Sequence, residues 1–199
     1  MRRLLALLLF TSCTTPSAVP ILDRGVVASP EPHASETGAA ILRRGGNAVD
    51  AAIAVQFALA VTFPNAGNLG GGGFMLVHTA AGETALDYRE TAPAAARRDM
   101  FLDPQGNVVP GLALSSARAS GVPGSVAGMW LAHRKFGTLP WKELVEPAVK
   151  LAEEGWILDR WTAGSFGSLR KDNARDYFKG QAGERFVQKE LAATLRRIA

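Results

Sequence analysis

Arg89 is the residue of this 199-residue sequence best placed to bind a charged ligand. It follows residues 84–88, which are predicted to form a strand, and it opens the loop RETAP. A guanidinium at the end of a strand can present parallel N–H groups to both oxygens of a carboxylate. An internal salt bridge with Asp87 or Glu90 is the alternative, and the residues alone favour neither interpretation.

Glycines are concentrated at residues 67–73, which end in a run of four. Glycine-rich loops can cradle phosphates, but this one lacks the Gly-Lys-Ser/Thr and Gly-x-Gly-x-x-Gly patterns and precedes a predicted strand instead of a helix. The pattern therefore disfavours a nucleotide site. Two interpretations stay open: a tight loop beside a crowded core, or a loop that shapes a substrate pocket.

Composition excludes several other classes of site. Histidines 33, 78 and 133 lie too far apart for a local metal motif, and one cysteine cannot form an intrachain disulfide. The net charge of +4 comes from scattered arginine pairs, which is not the pattern of a nucleic-acid interface. The Gly-x-Ser-x-Gly elbow of serine hydrolases is absent. We therefore expect no metal, no cofactor and no nucleic-acid partner.

Residues 1–22 are predicted to be an export signal and a tether. Two arginines precede the apolar run LLALLLF at residues 4–10, which is too short to span a bilayer. Cys13, after the small Ser12, resembles the lipidation site of bacterial lipoproteins. The alternative is an ordinary secreted protein. We expect an exported protein, periplasmic or lipid-anchored, whose only membrane contact is such an anchor and whose folded part is residues 23–199.

Periodicity and turn signals predict a mixture of strands and helices in the rest of the chain. Residues 48–62 are apolar nearly all round, which predicts a buried central helix. Residues 159–178 are polar and predicted to be irregular. The other predicted elements are strands at 25–29, 74–78 and 84–88, and helices at 32–44, 125–136, 140–154 and 190–198. A hairpin beside a buried helix predicts α/β layers with an antiparallel sheet.

Five segments, in order, resemble the γ-glutamyltransferase (γ-glutamyltranspeptidase) family. They are GGNAVDAA at 45–52, GGGGFM at 70–75, RETAP at 89–93, GVPG at 121–124 and GTLPW at 137–141. Each segment is a weak signal by itself, but five of them in the family's order are a strong one.

The resemblance implies an N-terminal-nucleophile hydrolase fold, a four-layer αββα sandwich of which this chain holds a part. It implies a precursor that cuts itself into a large and a small subunit. The new N-terminal threonine of the small subunit attacks γ-glutamyl amides such as glutathione, and water or an amino-acid or peptide amine then accepts the γ-glutamyl group. Arg89 matches the family arginine that binds the α-carboxylate of that group.

The family's Thr-Thr-His nucleophile segment is absent from this sequence, because Thr14 and Thr15 are followed by Pro16 within the leader. We therefore expect the N-terminal portion of a large subunit, ending within the last predicted helix, with no catalytic residue of its own and inactive alone. Two alternatives stay open. One is a related acylase or poly-γ-glutamate transpeptidase, and the other is a non-catalytic envelope lipoprotein.

Overall fold

The computed structural model describes residues 25–169 and 177–199. This part of the chain combines helices with short antiparallel strands, so the predicted α/β class is confirmed. The elements are α1 (Pro32–Arg43), α2 (Ala48–Thr62), β1 (Phe74–Thr79), β2 (Gly82–Asp87), α3 (Leu112–Ser115), a 3₁₀ helix (Ala117–Ala119), α4 (Ser125–Phe136), α5 (Trp141–Glu154), β3 (Trp156–Ile157), α6 (Arg160–Leu169), β4 (Arg185–Phe186) and α7 (Lys189–Ile198). None of these helices has the length and apolar character that crossing a membrane requires.

Helix α2 is the centre of the core, as its sequence predicts. Ten of its fifteen residues are buried, and α1, α4 and α5 all pack against it. Its many alanines leave room for these neighbours to approach. Phe57 is completely buried and meets the ring of Trp141 edge to face, with 5.5 Å between ring centroids.

Asp50 of α2 is a completely buried carboxylate that joins two segments distant in sequence. It accepts hydrogen bonds from the backbone N–H groups of Asn47 (3.0 Å) and Thr138 (3.1 Å), and from the Thr138 hydroxyl. The Asn47 side chain in turn accepts from the backbone of Val49 and Asp50, which completes a capping box. A buried charge is tolerated only when hydrogen bonds replace its hydration.

Strands β1 and β2 form the predicted hairpin, with a two-residue turn at 80–81 and a register that pairs Phe74 with Asp87 and Thr79 with Gly82. Strand residues alternate between two faces. Val77 and Leu86 are buried against the core, whereas Leu76 is 84% exposed on the other face. The described residues contain no third strand beside this hairpin.

The predicted strand at residues 25–29 is wrong. None of the described residues pairs with this segment as a strand. Val27 packs on α1 instead, since a Cβ atom on Gly38 of α1 would lie 2.8 Å from its side chain, whereas Val26 is 76% exposed. Val27 therefore fills space against α1 without forming a ladder.

The predicted irregular segment 159–178 is wrong over its first half, which forms helix α6. Asp159 caps this helix, because its carboxylate accepts from the backbone N–H and the hydroxyl of Thr162, both at 2.8 Å. Burial raises the pKa of Asp159, but the hydrogen bonds from Thr162 and from nearby backbone N–H groups together outweigh burial and hold that pKa below its ordinary value. The spacing of Asp159 and Thr162 is typical of the start of a helix, but the polar composition of the segment favoured an irregular structure.

Replacing Asp50 by Asn should destabilise the protein by about 1–3 kcal/mol. The amide nitrogen would face buried N–H donors, so at least one of them would lose its acceptor. Urea unfolding of the purified protein measures the change. Glu36→Gln, an exposed carboxylate on α1, is the matched control and should shift the free energy of unfolding by less than about 0.5 kcal/mol. Equal effects of the two substitutions would show that the buried hydrogen bonds of Asp50 contribute little.

Candidate functional site

Arg89 lies where the chain leaves β2, and its side chain is 66% exposed. Its Nε donates to a carboxylate oxygen of Glu90 at 3.3 Å. Asp87 does not pair with the guanidinium, since its carboxylate accepts from the backbone N–H of Arg89 at 3.0 Å. Of the two salt bridges considered from the sequence, the one with Glu90 is present and the one with Asp87 is not.

The ion pair with Glu90 leaves most of the Arg89 guanidinium available. Neither Nη group has a hydrogen-bond acceptor within the described ranges. An exposed ion pair of this kind contributes little free energy, so an incoming carboxylate can compete with it. The Nη groups are donors that can reach both oxygens of such a carboxylate.

The backbone of Tyr88 anchors Arg89 to the glycine-rich loop. Tyr88 N–H donates to the carbonyl of Gly73 (3.0 Å), and Gly73 N–H donates back to Tyr88 (3.3 Å), which extends the hairpin by one pair. The Tyr88 hydroxyl donates to the carbonyl of Phe74 at 3.3 Å. Burial raises the pKa of the Tyr88 phenol, so this donor stays protonated at neutral pH.

Three glycines lie so close to Tyr88 that none of them could carry a side chain. A Cβ atom on Gly124 would lie 1.9 Å from the carbonyl oxygen of Tyr88, and one on Gly128 would lie 2.1 Å from Cγ of its ring. A Cβ atom on Gly72 would lie 2.6 Å from the same carbonyl oxygen. We call these three residues the glycine clasp. It fixes the position of the backbone from which the Arg89 side chain extends.

Asn68 and Ser125 hold the glycine-rich loop against the start of α4. The Asn68 side-chain oxygen accepts from Gly71 N–H (2.9 Å) and from the Ser125 hydroxyl (2.7 Å). The Gly71 carbonyl accepts from the N–H groups of Gly124 (2.8 Å) and Ser125 (3.0 Å). Sequence analysis did not single out these two polar residues, although both flank glycine segments of the family pattern.

A cleft of about 430 Å³ opens beside Arg89. Its walls come from residues 89–93, from the following loop up to Phe101, and from residues 118–121. Two backbone hydrogen bonds between Thr91 and Val122 (2.8 and 3.3 Å) hold the first and last of these segments together. No residue of the 67–73 glycine run lines the cleft, so this run supports the site from behind and does not form its wall.

A larger groove of about 620 Å³ lies on α5, but the charged side chains that line it are less available to a ligand. Arg44 and Glu143 already form an ion pair across it. We therefore place the candidate site at Arg89. Within the described ranges, no three His, Cys, Asp or Glu side chains are grouped as metal ligands. Cys13 lies outside the residues that the structure describes.

Comparison with known proteins identifies the family of this chain. The gamma-glutamyltranspeptidase family model matches residues 34–199. The glutathione hydrolase proenzyme of Pseudomonas aeruginosa is 48% identical over 184 residues, which are 89% of this chain and 33% of that protein. The Escherichia coli glutathione hydrolase proenzyme is 50% identical over 188 residues, 88% of this chain and 32% of that protein. The structure of Helicobacter pylori gamma-glutamyltranspeptidase matches with a TM-score of 0.84 and 46% identity, over 89% of this chain and 54% of that one.

This chain belongs to the gamma-glutamyltranspeptidase family. The resemblance predicted from the five segments and the fold class that it implies are therefore confirmed. The chain spans about a third of the length of the curated relatives that it matches.

Gly128→Ala tests the glycine clasp. The new methyl group would overlap the Tyr88 ring, and overpacking of this kind costs about 1–3 kcal/mol or more. Gly164→Ala is the matched control, because Gly164 is also helical and has open space around it. That change should stabilise α6 by about 0.5–1 kcal/mol. Thermal unfolding of both variants gives the comparison, and a neutral Gly128→Ala would contradict the close packing described here.

Proposed function

We propose that this chain supplies the substrate-carboxylate site of an enzyme that cleaves γ-glutamyl amides such as glutathione. The reaction passes through a γ-glutamyl-enzyme intermediate, and the group is transferred to water or to the amine of an amino acid or peptide. The observation that carries the proposal is Arg89, which lines an open cleft with no described acceptor for its Nη groups and follows the residue that the glycine clasp encloses. The names of the Pseudomonas aeruginosa and Escherichia coli relatives support the choice of glutathione.

Arg89 would bind the α-carboxylate at one end of the substrate. A charge-assisted pair at this end fixes where the γ-carbonyl lies, and positioning of this kind is a large part of catalysis. Glu90 has a second part in the proposal. In the free site it keeps the guanidinium oriented, and the substrate carboxylate takes up the donors that Glu90 leaves unused.

The nucleophile is proposed to come from outside this chain, because no segment here matches the family's Thr-Thr-His. An N-terminal threonine would attack the γ-carbonyl through its hydroxyl, with its own α-amine as the base. The amine of the substrate leaves with a proton, and water or an acceptor amine then attacks the acyl-enzyme.

The small subunit of the same precursor is the proposed partner, and the outer face of the hairpin is its proposed docking surface. Phe74 is 62% exposed and Leu76 is 84% exposed on this face. Within the described part of the chain, both edges of the two-stranded sheet are unpaired. Exposed apolar residues next to open strand edges favour covering by further strands.

Arg89→Ala in the complete enzyme should lower kcat/KM for γ-glutamyl-p-nitroanilide by about 10–100-fold. The lost charge-assisted pair corresponds to about 1.5–3 kcal/mol. Arg134→Ala is the matched control, because Arg134 is exposed on α4 and does not line the cleft. Arg89→Lys should recover part of the loss, since it keeps the charge but not the planar fork.

A butyryl anilide, which lacks both the α-amino and the α-carboxyl group of the γ-glutamyl anilide, separates the proposed enzyme from a related acylase. The wild-type enzyme should prefer the γ-glutamyl anilide, and Arg89→Ala should reduce that preference. Equal turnover of the two anilides by the wild type, or unchanged kinetics of Arg89→Ala, would remove Arg89 from the substrate site.

The proposals of export and of lipidation rest only on the sequence of residues 1–22. Cys13→Ser should abolish labelling by a radioactive fatty acid and move the protein from the membrane fraction to the soluble periplasmic fraction. Ser17→Ala, four residues further on, should leave both unchanged. A wild-type protein that takes up no label would instead be an ordinary secreted protein.

A further inference from the structure

A second arginine, Arg118, lines the same cleft as Arg89. It belongs to the 3₁₀ helix Ala117–Ala119, and it reaches the cleft from a different segment of the chain. Its Nη1 donates to the carbonyl of Met100 at 3.3 Å. Among the described residues, no carboxylate lies within ion-pair distance of Arg118. The contact with Met100 therefore orients this guanidinium without neutralising it.

The charges on the cleft walls do not balance. Three charged residues line it: Arg89, Glu90 and Arg118. Because Glu90 pairs with Arg89, Arg118 is the excess positive charge. An adjoining cavity of about 440 Å³ shares Arg118 and is also lined by Arg97, Asp99 and Asp103. Among the described residues, neither Asp99 nor Asp103 forms an ion pair with Arg118. Backbone and side-chain hydrogen bonds from Asn107 hold the pKa of Asp103 below its ordinary value. The Asp103 carboxylate therefore accepts hydrogen bonds within its own turn and does not pair with Arg118.

The two arginines are suited to two carboxylates better than to one. The Nη groups of Arg89 already suffice for both oxygens of a single carboxylate. A cleft of about 430 Å³ is much larger than one such group and falls within the usual range for small-molecule sites. Arg118 is held at Met100, so its donors serve a different part of the cleft wall.

We propose that Arg118 binds a second substrate carboxylate, on the amine side of the γ-glutamyl bond. This inference rests on the proposed function, in which Arg89 takes the α-carboxylate of the γ-glutamyl group. The second carboxylate belongs either to the leaving peptide of the donor or to the amino acid or peptide that accepts the group. Both occupy the same place, because the acceptor enters where the leaving amine departed. Arg118 thereby selects γ-glutamyl peptides with a free C-terminus.

The test compares donors that differ only in this carboxylate. The complete enzyme is assayed for kcat/KM with glutathione and with its C-terminal amide. The wild type should prefer the acid, and Arg118→Ala should lower kcat/KM for the acid about tenfold while leaving the amide within about twofold. The unchanged rate with the amide shows that the variant is folded. Arg118→Lys should keep part of the preference for the acid.

Arg98→Ala is the matched control. Arg98 is exposed in the loop between Pro93 and Phe101, which forms one wall of the cleft, but Arg98 itself lines neither cavity. Transfer to glycylglycine and to its amide, with γ-glutamyl-p-nitroanilide as donor, shows whether acceptors use Arg118 as well. A loss with glutathione alone assigns Arg118 to the donor, and a loss in acceptor transfer alone assigns it to the acceptor.

Two results would overturn the inference and leave the proposed function intact. One is a wild-type enzyme that turns over acid and amide equally. The other is an Arg118→Ala variant that loses the same factor on both, which would make Arg118 a structural residue or a second contact for the α-carboxylate. Failure of the wild type to release glutamate from either donor would instead overturn the proposed function, and this inference with it.

Discussion

The exclusion of side chains around the backbone and ring of Tyr88 is the constraint on which the rest of the site depends. The three glycines of the clasp come from the loop before β1 and from the start of α4, and each approaches Tyr88 more closely than a Cβ atom would allow. This close packing fixes the position of Tyr88, so the side chain of the next residue, Arg89, extends from a defined position. Precise placement of a carboxylate-binding group on a packed element is what a substrate site requires.

A second constraint operates on the other side of the core. Asp50 is buried with no cationic partner in the part of the chain that the structure describes, and it is satisfied by N–H and O–H donors that lie on both sides of α2 in the sequence. It therefore joins the start of α2 to the turn between α4 and α5. Helix α4 is consequently held at both ends, by Asp50 near Thr138 and by Asn68 at Ser125. The glycine clasp depends on that position of α4.

Much of this arrangement could be predicted from the sequence, because it depends on local patterns. The apolar sequence of α2 identified the central helix, and the glycine segments identified the family. The prediction at residues 25–29 failed because a β-branched residue such as Val27 can pack against a helix as well as in a ladder. Arg118 gave no local signal at all. Its significance comes from sharing a cleft with Arg89 and from having no acidic partner among the described residues, and both are properties of tertiary structure.

Arg89 is proposed to bind the α-carboxylate of a γ-glutamyl substrate. A crystal structure of the complete enzyme with a bound γ-glutamyl analogue measures this directly. The account predicts both oxygens of the ligand carboxylate at about 2.7–3.2 Å from the donors of Arg89, with Tyr88 still enclosed by the glycine clasp. A ligand carboxylate held elsewhere, with Arg89 paired to Glu90 alone, would contradict it.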